Sequence, residues 1–434
     1  MKKTLALILA AVMALSLVAC AKTPGNGGTE AKGSVYYLNF KPEADKAWQD
    51  LAKTYTEKTG VEVKVVTAAS GQYDTMLTSE LDKSAPPTMF QVGNQGAVNS
   101  YGDFCYPLDN TDVMKEMTTQ DFNLKNANGE TVSIGYCYEA YGIIVNKALL
   151  KQAGYEITDI TNFESLKKVA DDIHSRAAEL GFDAFSSAGL EGSSSWRFSG
   201  HLANMPLYYE FRDDGVTEQP AEIKGTYLDN FRNIWDLYIT DSAADPTALS
   251  TATGDQSEAE FGEGKAVFYQ NGTWEYAALT ADKFNLNPDE IAMIPIYCGV
   301  DGEEKAGLCS GTENCWAINS QAKEEDIQAS LDFLYWLVTD PDASAVLVEQ
   351  LGAVPFKSCP ASANKFIVDG NALLADGKYA VTWAFNYTPN VDSWRATVVT
   401  ALAAYSADPT DANWEAVKTA FVDGWAIEYK TVNG

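Results

Sequence analysis

The sequence predicts an α/β protein, with helices covering largely parallel sheet in a body long enough for two domains. Three observations predict it. Val35-Tyr36-Tyr37-Leu38 is a buried-strand run that leads into Asn39-Phe40. From Ala44, the residues Ala44, Ala47, Trp48, Leu51, Ala52 and Tyr55 recur at the spacing of one helical face. Gly60 stops that helix, and Val61, Val63 and Val65 alternate as the next strand. The result is a βαβ unit, whose crossover makes the two strands parallel. The alternation returns later. Phe163, Leu166, Val169, Ala170, Ile173, Ala177 and Leu180 mark a second amphipathic helix, and Ile327, Leu331, Leu334 and Val338 a third. Of 434 residues, about 400 form the folded body, which suits two domains.

The N-terminus follows a different plan. Lys2 and Lys3 are followed by an apolar stretch from Leu5 to Leu17, too short to span a bilayer stably. Leu17-Val18-Ala19-Cys20 resembles the lipobox of bacterial lipoproteins, which implies cleavage after residue 19 and lipidation of Cys20. Residues 20–33 then read as a flexible linker, since Gly, Pro, Asn and Thr bury no core. No later stretch is apolar enough for a transmembrane helix. The expectation is a water-soluble body tethered to the outer face of a membrane.

Composition narrows the function. Hydrophobic residues at 46 % and aromatics at 12 % describe a globular chain, and the formal charge of −29 repels nucleic acid and anionic lipid. Beyond Cys20 the cysteines are Cys105, Cys137, Cys298, Cys309, Cys315 and Cys359. An exported location permits disulfides, six cysteines allow 15 pairings, and buried thiols are the simpler reading. No CxxC pair occurs and only His174 and His201 add imidazole, so neither a zinc site nor any other metal or cofactor is expected.

Enzyme signatures are nearly absent. The phosphate-loop, dinucleotide and zinc-protease patterns are missing. Gly307-Leu308-Cys309-Ser310-Gly311 mimics a nucleophile elbow, but no histidine lies downstream, and the segment reads as a turn near a binding cleft. An exported glycoside hydrolase stays open as an alternative, because 60 acidic residues make carboxylate pairs uninformative. No catalytic residue is assigned.

Aromatics placed beside amides and carboxylates in turns carry more information. They occur in Asn39-Phe40-Lys41-Pro42-Glu43, Ser194-Ser195-Trp196-Arg197, Asn271-Gly272-Thr273-Trp274-Glu275, and Trp383-Ala384-Phe385-Asn386-Tyr387 with Trp394 following. A pyranose has an apolar face that suits a flat indole and a rim of hydroxyls that need polar partners. A small sugar or oligosaccharide is therefore the expected ligand. A polyamine, gripped by carboxylates, is the alternative.

The chain resembles the family 1 extracellular solute-binding proteins of ABC importers, which include the maltose-binding proteins. The resemblance spans Val35 to Trp425. It is carried by Tyr55-Thr56-Glu57-Lys58-Thr59-Gly60-Val61-Glu62-Val63, by Glu139-Ala140-Tyr141-Gly142-Ile143-Ile144-Val145-Asn146-Lys147, by Phe261-Gly262-Glu263-Gly264-Lys265-Ala266-Val267 running into Asn271-Gly272-Thr273-Trp274, and by Thr339-Asp340-Pro341 followed by Gly352-Ala353-Val354-Pro355. It implies a two-lobe periplasmic-binding-protein-like fold of type II, each lobe a sheet flanked by helices, hinged by crossing strands. Lobe 1 is expected at 34–140 plus 292–338, and lobe 2 at 141–291 plus 339–434. The crossings would lie near Tyr141–Asn146, Ile291–Pro295 and Val338–Pro341. The ligand would occupy the cleft, and the partners would be the permease subunits of the importer, with the receptor itself a monomer.

The resemblance also implies site residues. Asn271 and Trp274, with Glu275 beside them, match a sugar-stacking turn, Trp196 an aromatic of the second lobe, and Trp394 a C-terminal stacking aromatic near Trp383 and Asn386. Asn39, Lys41 and Glu43 match the polar turn after the first strand. Asn94 and Gln95 stand where maltodextrin binders carry an aromatic and an acid, which argues against maltose specificity. Glu139 and Tyr141 enter the hinge, as cleft or structural residues.

Overall fold

The computed structural model describes residues 32–352 and 354–434. Cys20, the leader and nearly all of the linker lie outside the described residues. Twelve strands form two sheets in that body. They are β1 (Ser34–Asn39), β2 (Glu62–Thr67), β3 (Met89–Gln91), β4 (Leu124–Lys125), β5 (Thr131–Gly135), β6 (Glu139–Asn146), β7 (Asp183–Phe185), β8 (Ala266–Gly272), β9 (Ile291–Ile294), β10 (Ala306–Gly311), β11 (Cys315–Ile318) and β12 (Tyr379–Thr382). The first sheet runs β2-β1-β3-β11-β5-β4, and the second β12-β10-β6-β8-β7 with β9 also paired to β6.

The βαβ opening has a direct physical basis. The helix Asp45–Thr59 buries Trp48, Leu51, Ala52 and Tyr55, one face of its period. Gly60 closes it in the left-handed region at φ 73°, donating its N–H to the Thr56 carbonyl. The chain then returns as β2, parallel to β1 with Ser34 opposite Glu62. The second amphipathic segment forms the helix Phe163–Ser175, with Asn162 accepting from the Ser165 amide at its start. It is broken at Arg176, so Ala177 and Leu180 belong to a separate short helix.

The sheets are less parallel than the βαβ unit suggests. β11 runs antiparallel to both β3 and β5, and β6 antiparallel to β8, β9 and β10. One edge of β6 is shared: Glu139–Tyr141 pair with β10 and Ile143–Asn146 with β9. A chain that crosses between lobes and comes back enters each sheet in reverse.

That sharing moves the lobe boundaries from their expected positions. β9 and β10 belong to the second sheet, so the return crossing is Thr312–Asn314 and not Ile291–Pro295. The first crossing is Tyr136–Tyr138, before β6, and not Tyr141–Asn146. The helices Glu324–Thr339 and Pro341–Leu351 both bury residues in the first core, as does Phe356, so the last crossing follows Phe356 and not Val338. Lys357 still donates its backbone amide to the Glu116 carbonyl of the first lobe, whereas the Asn364 side-chain Nδ2 donates to the Thr273 carbonyl of the second.

Each lobe has its own aromatic core. In the first, Trp316 stacks on Tyr136 at 4.1 Å and meets Trp48 edge-on at 6.2 Å. In the second, Trp394, Trp414 and Trp425 are each about 1 % exposed or less and pack between the helices Val391–Ala407 and Asp411–Asn433. The six cysteines of the described residues are free thiols, and all but Cys359 are buried. Gly307–Gly311, expected as a turn, lies within β10.

Candidate ligand-binding site

A cleft of about 610 Å³ opens between the two sheets and is lined from both sides. Its first wall begins where β1 ends. Asn39 is fully buried and faces away from the cleft. Its side-chain amide donates to the Lys41 carbonyl and to Thr67 Oγ1, and its oxygen accepts from the Lys41 amide. It shapes the turn that delivers Lys41. The Lys41 ammonium, 3 % exposed, is held by Glu139 and lies 3.1 Å from Glu43. Burial alone would lower its pKa, but the two carboxylates more than reverse this and the net shift is upward. Glu139 also accepts from Asn314 Nδ2 at 2.6 Å, so one carboxylate ties the first lobe to both early crossings.

The second lobe supplies an aromatic floor. At the end of β8, Asn271 is 1 % exposed and donates to Tyr269 Oη at 2.6 Å and to Glu275 Oε1 at 2.8 Å. It positions Glu275 and does not itself line the cleft. Trp274 folds back over Gly272, where a Cβ would meet the indole at 2.1 Å; only glycine leaves that space. Burial pushes the Glu275 carboxyl up to about 8, with the Glu258 charge adding to the effect.

Behind Trp196 the backbone widens into a π-helical turn, Arg197–Leu202. That turn returns His201 against Trp196, edge to face at 5.1 Å. His201 also stacks on Tyr141 at 4.2 Å and lies 5.3 Å from Trp274 and 5.7 Å from Trp383. Burial holds its imidazole well below the usual range, hence neutral, and its Nδ1 has no partner among the described residues. Arg197 is buried beneath, donating to the carbonyls of Gln270 and Ser187 and to the hydroxyls of Ser194 and Ser257. It braces the turn.

Of the residues expected at the site, Lys41, Glu43, Asn94, Glu139, Trp196, Trp274, Glu275 and Trp383 line this one cleft. Asn94 reaches it while accepting from the Ala97 amide at a helix start. The others lie elsewhere. Gln95 is exposed and donates to the Lys125 carbonyl. Tyr141 is wholly buried beneath His201. Asn386 donates to the Thr312 carbonyl and holds the return crossing. Trp394 is 1 % exposed, donates its indole N–H to the Phe421 carbonyl and packs on Phe421 and Trp425. It is a core residue, because its helix turns that face toward Asp411–Asn433.

The cleft also contains residues that the sequence reading missed. His201 and Glu313 sit on its floor, Asp74 on the first wall, and Asp392 and Arg395 on the second. Arg395 lies over Phe385 at 5.4 Å and against Gly200, where a Cβ would be 2.7 Å from Nη2. For His201 a signal was present: it follows Trp196 by five residues in an aromatic-rich turn. For the acids there was none.

Comparison with known proteins places this architecture. The family model described as bacterial extracellular solute-binding protein matches residues 50–373. An erythritol/L-threitol-binding protein of Mycolicibacterium smegmatis is 24 % identical over 334 residues, 70 % of this chain and 66 % of that one. The chain thus spans just under two thirds of that relative. The diacetylchitobiose binding protein DasA of Streptomyces coelicolor is 23 % identical over 414 residues, 91 % of this chain and 90 % of that one. The solved structure of RafE in complex with raffinose superposes with a TM-score of 0.72 at 16 % identity, covering 92 % of this chain and 99 % of that one, which shows the same type II two-lobe fold. The chain belongs to the bacterial extracellular solute-binding protein family.

Proposed function

We propose that this protein captures a small sugar or oligosaccharide in its cleft and delivers it, chemically unaltered, to the permease of an ABC importer. The observation that carries the reading is the floor of Trp196, Trp274, Trp383 and His201 set beside Lys41, Glu43, Glu139 and Glu275 in one cleft. Flat apolar rings suit the C–H face of a pyranose, and the polar groups satisfy hydroxyls that would otherwise lose water. The names of the relatives, which bind tetritols, diacetylchitobiose and raffinose, support the same ligand class. Closure is a hinge motion at the three crossings, favoured by ligand contacts to both lobes. The lipobox-like Leu17–Cys20 supports a lipid anchor at Cys20 on the outer face of the membrane, with the receptor acting as a monomer.

Calorimetry with a panel of unlabelled mono- and oligosaccharides, paired with incubation of labelled ones, tests this. Stoichiometric binding with intact sugar recovered supports the receptor. Cleavage would replace it with a hydrolase. The cleft also holds Glu43, Asp74, Glu139, Glu275, Glu313 and Asp392 against only Lys41 and Arg395 as cations. That excess favours one second reading, a polyamine, and tight spermidine binding with no saccharide response would select it.

A further inference from the structure

The two cations of the cleft are used differently. Lys41 is taken by Glu139 and Glu43. Arg395, in the helix Val391–Ala407, lines the same cleft but makes no hydrogen bond or ion pair among the described residues. Its Nε–H is buried with no acceptor, which costs free energy that no bond inside the protein returns. The side chain is held all the same. Its guanidinium carbon lies 5.4 Å from the Phe385 ring centroid. A Cβ on Gly200 would lie 2.7 Å from Nη2 and 3.0 Å from both Cζ and Nε, so the group rests face-on against bare glycine backbone. Both supports are fixed in turn. Phe385 is 1 % exposed and its amide donates to Asn204 Oδ1 at 3.1 Å. Gly200 belongs to the π-helical turn Arg197–Leu202, which buried Arg197 braces through the Gln270 carbonyl. A rigid seat for a forked, permanently charged donor that bonds nothing in the protein points to a bond made to something else.

We propose that Arg395 is a specificity-determining residue of the cleft, donating from its two Nη groups to two adjacent hydroxyls of the bound sugar. This rests on the sugar reading above and deepens it, from a ring with a polar rim to a ring carrying a vicinal diol. Because Gly200 covers the face of the guanidinium, a ligand meets it at the N–H edge. A carboxylate would match that edge equally well. Asp74, Glu313 and Asp392 line the same cleft, however, and repel an anion. Burial raises the Asp74 and Glu313 carboxyls while the Arg395 charge pulls both the other way, in keeping with a guanidinium set among acids. A polyamine would meet a fixed positive charge at this point. A hydroxyl pair is neutral and supplies two acceptor oxygens, so it escapes both penalties.

Calorimetry tests it with glucose, galactose, raffinose, diacetylchitobiose and erythritol as neutral probes, and with glucuronate, galacturonate and spermidine as charged ones. The neutral probe that binds tightest should lose about 10- to 100-fold in affinity in Arg395→Gln, with the urea midpoint unchanged. Gly200→Ala, whose added methyl pushes the guanidinium aside, should reproduce much of that loss with the charge still present. Monodeoxy analogues of the same probe locate the contact. Removing either of two adjacent hydroxyls should cost the parent about tenfold or more, and the glutamine variant less than about threefold. Unchanged affinity in Arg395→Gln, or the same deoxy pattern in parent and variant, overturns the proposal and leaves the sugar reading standing. A uronate bound more tightly than its neutral counterpart, with that preference lost in Arg395→Gln, replaces the diol with a carboxylate. Binding of spermidine alone, or of no probe, removes the sugar reading and this inference with it.

Discussion

Two groups of tryptophans in the second lobe have opposite environments despite similar sequence surroundings. Trp196 and Trp274 follow short polar or Gly-containing turns and Trp383 follows the end of β12, and all three reach the cleft, whereas Trp394, Trp414 and Trp425 sit within two long helices and pack into the core against Phe421, Phe231, Tyr405 and Phe211. The difference is in what the backbone leaves open. Gly272 and Gly311 lack the Cβ that would displace Trp274 and Trp383, so those rings lie flat along strand ends. Trp394 has helical neighbours on the facing helix and a carbonyl acceptor waiting at Phe421. An indole next to amides therefore reaches the cleft only where the chain stops being regular.

The comparison is broken most sharply by truncation. Trp394→Ala should cost about 3–5 kcal/mol of stability, as for other fully buried indoles, read as a lower urea midpoint. Saccharide affinity measured well below that midpoint should stay within about a factor of three, or 0.7 kcal/mol. If affinity collapses while stability holds, the two groups have been assigned the wrong way round. Lys41→Met comes next, at about 3 kcal/mol, because it strands the buried Glu139 carboxylate with Asn314 as its remaining donor. Urea denaturation at fixed pH registers the loss, and an unchanged midpoint would mean that removing Lys41 does not strand Glu139.

Trp274→Ala is the counterpart on the cleft side. Affinity for whichever saccharide the panel selects should weaken by about 1–3 kcal/mol with the urea midpoint unchanged. Equal affinities would remove Trp274 from the binding face and leave Trp196 and Trp383 to carry it.

How far these roles were readable follows from the same physics. The βαβ opening was legible because helical and strand periods leave regular marks, down to Gly60 at the helix end. The crossings were not, because β9 and β10 are apolar strands of ordinary composition and only their pairing with β6 reveals which lobe they join. Trp274 and Glu275 were visible through the turn they share. Trp394 looked equivalent, since a single sequence does not say which helix will cover a given face. Asp74 and Asp392 could not be singled out among 60 acidic residues, for only the fold brings two positions so far apart in sequence to one cleft. Asn39, Asn271 and Asn386 show a subtler limit: amides chosen as ligand contacts instead satisfy backbone or neighbouring side chains that hold the contacts in place.

The smallest expected effect concerns Glu275, which distinguishes charge from shape within the cleft group. Its carboxyl is held protonated at neutral pH by burial and by Glu258, so it presents a neutral donor and acceptor much as an amide would. Glu275→Gln should therefore match the parent protein in stability and affinity at about pH 6. The parent should then weaken as pH rises through about 8, because the raised value favours the fold fully below the ordinary carboxyl range and is lost as the proton leaves. The glutamine variant has no proton to lose and should show no such decline. Parallel pH profiles of the two proteins, followed by thermal unfolding between about pH 6 and about pH 9, would mean that Glu275 is ionised throughout and that its neighbours, Asn271 above all, stabilise the charge better than burial opposes it.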